Sequence, residues 1–492
     1  MSVISILFLP LVATALVCIP VKKHWAAAVT VVSSLAVLIL AGRLAWLASS
    51  GSFITVALKA GVLKWIAVDG LSALILLLIA FIGTTAAIFS VGYMAHENLE
   101  PGKLRLYYAN YNLFVFSMLA IPLLAEPTLV WIVVELTTLC SALLVSFDNT
   151  REALEAAWKY VVLSLMGAGM ALFGLLVLFA AMQASASDAA YTWNGLIAAA
   201  PTMPPVLLRT AFLLILIGLG TKVGLVPMHT WLPDAHSQAP SPVCALLSGI
   251  ETTAILYVIL RMFPVMKASH SSHAELWALV LGLISVGTAA FLLLQVRDYK
   301  RMFAFSTVEH MGIILTSVGL GVSAAAYGTM MQIVTHAVSK SFCFFAAGAV
   351  LMAAGTRDIA AVRGLIHRSP AAGIALVFGG LAITGAPPLA VFLSEFLILK
   401  AGLMQREYVA TGLLALFIVI AFFGIMMHVN RMVFGPAANE NNSVPDQVET
   451  FHLPFSCRLA LILAATPVLV LGVYIPKPLE DLLTQAAAAL TK

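Results

Sequence analysis

The sequence predicts an all-α polytopic membrane protein with about 14 transmembrane helices. Of the 492 residues, 62% are apolar and only 10% are charged, whereas soluble domains carry about 45–50% apolar and about 25% charged residues. The apolar residues also fall into runs of about 20, which is the length that a helix needs to cross a bilayer. This composition excludes a soluble globular protein, and its hydrophobicity excludes a disordered chain.

Fourteen apolar runs follow one another, and each is ended by charged residues or by proline and glycine. The predicted spans are 2–20, 26–47, 70–94, 108–125, 127–147, 159–182, 206–228, 241–264, 275–296, 303–322, 326–354, 371–399, 408–430 and 456–475. They define four regions: residues 1–107 with spans one to three, 108–264 with spans four to eight, 275–430 with spans nine to thirteen, and 431–492 with a loop, span fourteen and a short tail. The first run lacks a basic start and a cleavage site, so we interpret it as a retained span.

Basic residues predict the orientation of the spans. Loops after odd-numbered spans hold about twice as many lysines and arginines as the other loops and the tails, and such an excess marks the cytoplasmic side. We therefore expect both termini on the outer, periplasmic side of a bacterial inner membrane. A scattered net charge of +4 gives no reason to expect a nucleic-acid partner.

No cofactor or metal is expected on this chain. The five cysteines are isolated, without a CxxC spacing, which argues against a metal cluster, a haem attachment or a disulfide framework. No glycine-rich phosphate loop occurs between a strand and a helix. The chain therefore shows no redox site of its own.

The informative residues are ionisable side chains inside the apolar runs. At the centre of a span each costs about 2.5–3.5 kcal/mol and so needs a partner or water. The six main candidates are Glu135, Lys222, His310, His336, Lys340 and Glu395, and the weaker ones are Glu251, His229 and His236. We interpret the six as one buried polar track. Structural ion pairs that only fix helix packing remain the alternative.

Two of these spans are also broken. Pro227 follows Lys222 in span seven, and Pro388 precedes Glu395 in span twelve, and proline disrupts a helix interior. Broken helices at corresponding positions of two halves indicate an ion site in transporters. Lys222 and Glu395 lie 173 positions apart, and Glu135 and His310 lie 175 apart. The spacing predicts two five-helix repeats, spans four to eight and nine to thirteen, with inverted topology because five is odd.

Several segments resemble a known family, the antiporter-like subunits of respiratory complex I, of Mrp sodium/proton antiporters and of membrane-bound nickel–iron hydrogenases. The segments are GTKVGLVPMHTWLPDAHSQAPSPVCALLSG (220–249), DGLSALILLLIAFIG (69–83), YKRMFAFSTVEHMG (299–312), THAVSKSFCFFAAGAV (335–350) and GAPPLAVFLSEF (385–396). Within the family, residues 151–174 are most similar to the F subunit of hydrogenase-4-type complexes.

The resemblance implies a role for each main candidate. By position, Glu135 and Lys222 match the ion pair that the family has between spans five and seven. His310 matches the polar position of span ten, and His336 and Lys340 match the central site of span eleven. Glu395 matches the terminal residue of span twelve. One departure concerns span eight, where some relatives carry a central lysine near Thr253 and this chain offers Glu251 instead. We therefore expect the two halves to be connected through Glu251, through His310 or through water.

The resemblance implies a proton-translocating membrane subunit of a redox-driven complex, of the hydrogenase-4/formate-hydrogenlyase type or the complex I type. Its partners would be the lipid bilayer, other membrane subunits and a peripheral redox arm, with Fe–S clusters and a Ni–Fe centre or a flavin on those partner subunits. The transported ion would be the proton, or Na⁺. Glu135 would keep Lys222 charged, and lysine suits a relay because, unlike arginine, it loses its proton readily on burial.

Two other functions stay open from the residues alone. The first is a stand-alone or Mrp-type cation/proton antiporter or an inorganic-carbon transporter subunit, which would transport ions without redox partners. The second is a non-pumping membrane anchor for a peripheral redox arm, for which the insertion cost of six intramembrane ionisable residues has no explanation.

Overall fold

A computed structural model describes residues 2–20, 24–52, 54–55, 65–185, 187–270, 273–436 and 450–491, most of them helical. The N-terminal region contains α1 (Ser2–Val17), α2 (Trp25–Ser49), the antiparallel pair β1 (Ile54–Thr55) and β2 (Ala67–Val68), and α3 (Gly70–His96). The next region contains α4 (Pro101–Leu123), α5 (Pro127–Val145), α6 (Arg151–Gln183), α7 (Trp193–Ala199), a 3₁₀ turn (Ala200–Thr202), α8 (Pro205–Val223) and α9 (Trp231–Gln238).

Span eight is one continuous helical stretch with a change of helix type inside it. It consists of α10 (Ser241–Leu246), a π-helix (Leu247–Glu251), α11 (Thr252–Leu260) and α12 (Met262–Ala268). The remaining helices are α13 (Ala274–Leu293), α14 (Tyr299–Gly319), α15 (Val322–Ala354), α16 (Leu365–Arg368), α17 (Pro370–Ile383), α18 (Ala390–Met404), α19 (Tyr408–Phe434), α20 (Phe455–Val473) and α21 (Lys477–Thr491).

The structure confirms the all-α membrane class. Among the described residues, 12 helices are long and apolar enough to cross a bilayer, and each coincides with a predicted span. The other two predicted spans fall short for different reasons. Helix α1 has 16 residues, and span twelve is divided into α17 and α18, neither of which crosses alone. The count of fourteen therefore stays a prediction.

Helix burial separates a centre from a periphery. The span Ser241–Ala268 is buried along its most apolar stretch, and α14 and α15 are almost as deeply buried. Outer helices instead expose large apolar side chains, such as Ile39, Met166 and Phe423. A soluble protein rarely exposes apolar surface on this scale, so these side chains face lipid or other membrane subunits. Four of the ionisable candidates, Glu251, His310, His336 and Lys340, lie on these central helices.

The charged residues 151–158, which lie between the predicted spans five and six, are helical. Helix α6 begins at Arg151, eight residues before the predicted span, because Thr150 caps it by accepting a hydrogen bond from the backbone N–H of Ala153 at 3.1 Å. Lys159 then contacts Glu155 and Asp234 at 2.7 and 3.2 Å. The charges mark the part of a long helix that extends beyond the hydrocarbon core.

Both predicted breaks are present, and both contain a left-handed glycine. Gly224 ends α8 with φ +87°, and Gly385 follows α17 with φ +67°, a conformation that costs other residues about 1–2 kcal/mol. Lys222 precedes its break, however, whereas Glu395 follows its own. The two residues therefore occupy different halves of their spans, and the repeat stays a prediction.

The C-terminal tail forms the helix α21, although the sequence predicts only a short tail after span fourteen. Its buried face includes Leu482, Leu483, Ala486 and Leu490, which recur at the three- and four-residue spacing of an amphipathic helix. This face packs mainly against α3 and α15. Gly70, at the start of α3, approaches Gln485 so closely that a β-carbon would lie 2.7 Å from its side chain.

Candidate functional site

Lys222 lies in the last turn of α8 and is 2% exposed. Its ammonium donates to three neutral oxygens of α5, namely the Val134 carbonyl, the Thr138 hydroxyl and the Thr137 hydroxyl, the last at 2.7 Å. These three acceptors match the three N–H donors of a protonated lysine. The C-terminal end of a helix also favours a positive charge. We call this arrangement the Lys222 cage.

The carboxylate that faces the cage belongs to Glu251. Its Oε1 lies 3.7 Å from Nζ of Lys222, and both side chains are 2% exposed. The Tyr160 hydroxyl donates to the same oxygen at 2.9 Å, and it lies 2.8 Å from the hydroxyl of Ser141. The ring of Tyr160 packs against Trp231, 4.4 Å between centroids. Glu251 is therefore held by two helices besides its own.

Glu135 takes a second position near the cage. It is partly buried, and neither of its carboxylate oxygens has a hydrogen-bond partner among the residues that the structure describes. Lys222 is the charged group that acts on Glu135 electrostatically, but no contact within 4 Å joins the two. The ion pair that the family resemblance implies between Glu135 and Lys222 is thus made by Glu251 in this conformation.

The π-helix of span eight links the two halves of the molecule. Glu251 is its last residue and faces Lys222, while Ser248, three residues earlier, faces the other half. The Ser248 carbonyl accepts a hydrogen bond from Nε2 of His336 at 3.2 Å, and the Ser248 hydroxyl lies 2.6 Å from the hydroxyl of Thr307. π-helical turns are often found at functional sites.

Lys340 is the centre of the second cluster and is fully buried. Its Nζ donates to the Phe303 carbonyl at 2.8 Å and to the Ser306 hydroxyl, both on α14. Among the described residues no carboxylate oxygen lies within 4 Å of this ammonium, although Glu309 acts on it electrostatically. Glu309 is 4% exposed, and its Oε2 has no hydrogen-bond partner in the described part of the chain.

His310 begins a hydrogen-bonded chain across this cluster. Its Nε2 donates to the Ile383 carbonyl at 2.9 Å, at the end of α17, so the break in span twelve supplies the acceptor. The Nδ1 atom then accepts from the Gln332 amide at 3.0 Å. The Gln332 carbonyl accepts from the Ser394 hydroxyl at 2.5 Å, and Thr335 lies 2.8 Å from that hydroxyl. These partners fix the neutral tautomer of His310.

The last two candidates of the second half lie beside this chain. The rings of His310 and His336 are 5.2 Å apart between centroids. Glu395, next to Ser394 in the sequence, is 6% exposed, and a β-carbon placed on Gly385 would lie 2.3 Å from its Oε2. The break in span twelve therefore passes directly over the Glu395 carboxyl group.

The two weaker histidine candidates lie apart from both clusters. His229 is half-buried in the connection between α8 and α9, with its ring 6.5 Å from that of Phe305. His236 is fully buried in α9, and its Nδ1 lies 2.7 Å from the Leu232 carbonyl. Neither contacts Lys222 or Lys340 directly. Among the described residues, no group of three or more His, Cys, Asp or Glu is arranged to hold a metal ion.

The sequence interpretation missed several polar residues of the site. Glu309 is adjacent to His310 in an apolar run and lies 174 positions after Glu135, so the same spacing argument could have found it. Tyr160, Thr137 and Gln332 carry no such signal, because buried tyrosine, threonine and glutamine are common in ordinary helix packing. Only the three-dimensional contacts identify them.

The arrangement can hold and release protons. The site contains two buried lysines, four glutamates and two histidines, and hydroxyl and amide groups that can both donate and accept contact several of them. Serine and threonine hydroxyls can reverse their hydrogen bonds when a neighbour changes its protonation state. No nucleophile–base pair or cofactor ligand set accompanies them among the residues that the structure describes.

Comparisons with known proteins identify the family of the chain. The family described as NADH:quinone oxidoreductase/Mrp antiporter, TM, matches residues 120–424, and the N-terminus of chain 5 of NADH-ubiquinone oxidoreductase (complex I) matches residues 65–105. The chain is 37% identical over 416 residues to the hydrogenase-4 component F homolog of Methylacidiphilum infernorum (isolate V4), covering 83% of this chain and 85% of that protein.

Two further likenesses extend over most of the chain. It is 27% identical over 419 residues to NADH-quinone oxidoreductase subunit N of Desulforudis audaxviator (strain MP104C), covering 83% of this chain and 81% of the relative. Its fold matches a chain of the membrane-bound sulfane sulfur reductase, an archaeal respiratory membrane complex, with a TM-score of 0.88 at 24% identity, covering 100% of this chain and 98% of the other. The protein is therefore an integral membrane protein that belongs to the family of antiporter-like membrane subunits of complex I, Mrp antiporters and hydrogenase-4.

Proposed function

We propose that the chain translocates protons across the bilayer as a membrane subunit of a redox-driven complex. One observation carries the proposal: two buried lysines, Lys222 and Lys340, each donate to neutral oxygens. The π-helix of span eight lies between them, because its Glu251 contacts Lys222 and its Ser248 contacts His336. Burying two ammonium groups is costly, and helix packing alone gives no reason for it.

The Lys222 cage suits a lysine that is protonated in one state and neutral in another. While Glu251 is ionised, it balances the ammonium at 3.7 Å. When Glu251 is protonated or moves away, the ammonium loses its counter-charge in a medium that solvates charge poorly, which favours release of its proton. The hydroxyls of Thr137 and Thr138 can then donate to the neutral amine instead of accepting from it.

The π-helix of span eight supplies the connection between the halves. In this proposal Glu251 receives the proton from Lys222. Ser248 then connects the protonation of Glu251 to His336 and Thr307, both of which it contacts. Lys340 and His310 relay the proton within the second half, and Glu395 releases it. Glu251 thus takes the place of the central lysine that some relatives carry in span eight.

The proposed setting is the inner membrane of a bacterium, with both termini on the periplasmic side. We propose that the chain assembles with other membrane subunits and a peripheral redox arm, and that the arm holds Fe–S clusters and a Ni–Fe centre or a flavin. The support is the relatives' names, which describe a hydrogenase-4 component and a NADH-quinone oxidoreductase subunit. The proposed host is accordingly of the hydrogenase-4 or complex I type.

The test is proton pumping by the purified complex in proteoliposomes, measured as acidification per electron transferred. We expect Lys222→Ala and Glu251→Gln to lower the proton/electron ratio by about tenfold or more, as loss of a proton-transfer group does elsewhere. Electron transfer should continue in the presence of an uncoupler. Lys477→Ala is the control, since Lys477 is exposed on α21. Unchanged ratios in both site variants would instead favour a non-pumping anchor, and a requirement for Na⁺ would favour sodium as the ion.

A further inference from the structure

Three arginines from different loops meet at one point of the predicted cytoplasmic side. The backbone carbonyl of Arg297, just after α13, accepts from the N–H of Ile359 at 2.8 Å. The Arg363 guanidinium donates to the Ile359 carbonyl at 2.7 Å. A β-carbon placed on Gly435 would lie 2.9 Å from Cδ of Arg363 and 2.3 Å from the carbonyl oxygen of Arg431. Arg297, Arg363 and Arg431 are therefore neighbours, and we call them the arginine cluster.

No carboxylate pairs with the arginine cluster in the part of the chain that the structure describes, where none of its members forms an ion pair within 4 Å. Two acidic residues lie beside the cluster in the sequence, but both cap backbone N–H groups. Asp298 accepts from the N–H of Lys300 at 2.7 Å, and Asp358 accepts from that of Ala360 at 2.9 Å. Like charges held together repel one another. The cluster therefore favours an anion that these residues do not supply.

The cluster lies at the end of two apolar surfaces. On α19, the exposed side chains of Phe423 and Met427 precede Arg431 by eight and four residues, so all three share one face of the helix. At the end of α13, the exposed Leu294 precedes Arg297 by three residues. Exposed apolar side chains on these outer helices are suited to contact acyl chains. Each apolar surface thus leads directly to an arginine.

Guanidinium groups are suited to a phosphate, because their planar N–H donors match two phosphate oxygens at once. Arg363 uses Nη1 for the carbonyls of Ile359 and Val362, and its Nη2 and Nε have no partner among the described residues. A free phosphate ion could bind these donors as well, but only a phospholipid would also cover the apolar surfaces. Basic residues on the cytoplasmic side also orient the spans, yet orientation does not require that three loops bring them together.

We propose that the arginine cluster binds the phosphate group of an anionic phospholipid, whose acyl chains lie along the exposed faces of α13 and α19. The site is built from surface residues that take no part in the relay, so the inference does not depend on proton translocation. A basic group beside an anionic lipid contributes about a fivefold gain in affinity, and three together contribute roughly a hundredfold.

Native mass spectrometry of the purified complex tests the site. The complex is exchanged into detergent and titrated with phosphatidylglycerol or with phosphatidylcholine of the same acyl chains. The lipid retained on this chain is counted after the chain is released from the complex. We expect one phosphatidylglycerol to be retained in preference to phosphatidylcholine. The variant Arg297→Gln/Arg363→Gln/Arg431→Gln should bind phosphatidylglycerol roughly a hundredfold more weakly.

The matched control removes the same charge elsewhere on the predicted cytoplasmic side. It is Arg105→Gln/Arg151→Gln/Arg458→Gln, with one substitution on each of α4, α6 and α20. This variant should bind phosphatidylglycerol as the wild type does. An equal loss of binding in the two triple variants would show that only the net charge attracts the lipid, and the proposed site would be wrong.

The remaining outcomes identify the anion. Excess inorganic phosphate should not displace phosphatidylglycerol, and displacement would assign the cluster to a free phosphate ion instead. Equal retention of the two lipids would overturn the site, because the apolar surfaces alone would then hold them. Retention of neither lipid would also overturn it and would favour an acidic segment of a partner subunit as the anion. None of these results bears on proton translocation, which Lys222→Ala tests separately.

Discussion

Lys222 forms its ion pair with Glu251 rather than with Glu135. The Nζ–Oε1 distance is 3.7 Å, and each side chain is 2% exposed. Within the described ranges, both carboxylate oxygens of the nearby Glu135 are unpaired. Lys222 thus faces one carboxylate in contact and a second that lacks a partner. The two glutamates lie on different helices, α5 and span eight, so a shift between these helices would exchange the partner of Lys222.

A double-mutant cycle tests the contact between Lys222 and Glu251. Removing one partner of a buried pair leaves an uncompensated charge and typically costs about 3–5 kcal/mol. We therefore expect Lys222→Met or Glu251→Gln alone to lower the thermal unfolding midpoint of the detergent-solubilised protein clearly. The double variant should recover much of the loss, because it buries no unpaired charge.

The matched comparison replaces Glu251→Gln with Glu135→Gln. Since Glu135 makes no contact with Lys222 within 4 Å, the second cycle should show a smaller coupling. Equal coupling in the two cycles would mean that the ion pair alternates between the glutamates in the resting protein. Additive effects in the first cycle would contradict the pair altogether.

The hydroxyls of Thr137 and Thr138 offer a second test. Both accept from Lys222, and valine has the same shape but no hydroxyl. We expect the Thr137→Val/Thr138→Val variant to lose pumping by about tenfold, because the ammonium loses two acceptors and the neutral amine loses its donors. Acidification per electron is the measurement.

Thr84→Val is the control for the threonine substitutions. Thr84 is also buried, and its hydroxyl donates to the carbonyls of Ser34 and Ala80, away from the ionisable track. It should leave the proton/electron ratio unchanged. Normal pumping by the double valine variant would show that the cage oxygens only fill space.

The sequence predicts the helices better than it predicts the contacts between them. Span limits follow from hydropathy, since a bilayer demands about 20 apolar residues. The deviations occur where this rule does not apply, at the polar start of α6 and at the amphipathic α21, which both lie outside a fully apolar run. Their formation depends on a cap at Thr150 and on packing against α3.

The candidate site shows the same division. The cost of inserting a charge into the membrane identifies Lys222, Lys340 and Glu395, because a charged residue inside an apolar run can be recognised in the sequence. The partner of each charge cannot be recognised in the sequence. Glu251 rather than Glu135 pairs with Lys222 because the π-helical turn directs the Glu251 side chain towards α8, and Tyr160 of α6 donates a hydrogen bond to it. Such orientations arise from tertiary packing.

Asp69 provides a prediction about pH. It caps α3 and binds Arg261 with two hydrogen bonds of 2.6 and 2.7 Å. Burial alone would raise the pKa of Asp69, but the charge and hydrogen bonds of Arg261 outweigh it and lower the pKa from 3.8 to about 2. A carboxylate with a lowered pKa stabilises the fold above its unfolded pKa, and the contribution disappears as the pH falls through the folded one.

We therefore expect Asp69 to contribute about 2 kcal/mol at neutral pH, which is lost between about pH 4 and pH 2. Asp69→Asn should lower the free energy of unfolding at pH 7, and the difference from the wild type should shrink as the pH falls through that window. Asp481→Asn, at an exposed ion pair of α21, is the control. A difference that does not change with pH would mean that Asp69 acts only as a helix cap.

The break in span twelve leads to the last prediction, which concerns Gly385 and Glu395. Gly385 has φ +67°, and a β-carbon there would lie 2.3 Å from Oε2 of Glu395. Gly355 has nearly the same angle, +68°, with nothing within 4 Å of its β-carbon position. Alanine at either site adopts the same unfavourable backbone conformation, at about 1–2 kcal/mol. Only Gly385→Ala also displaces the carboxyl group. The backbone strain should therefore lower the thermal stability of both variants by a similar amount. Only Gly385→Ala should reduce acidification per electron. Equal pumping in the two variants would show that the position of the Glu395 carboxyl group does not limit proton release.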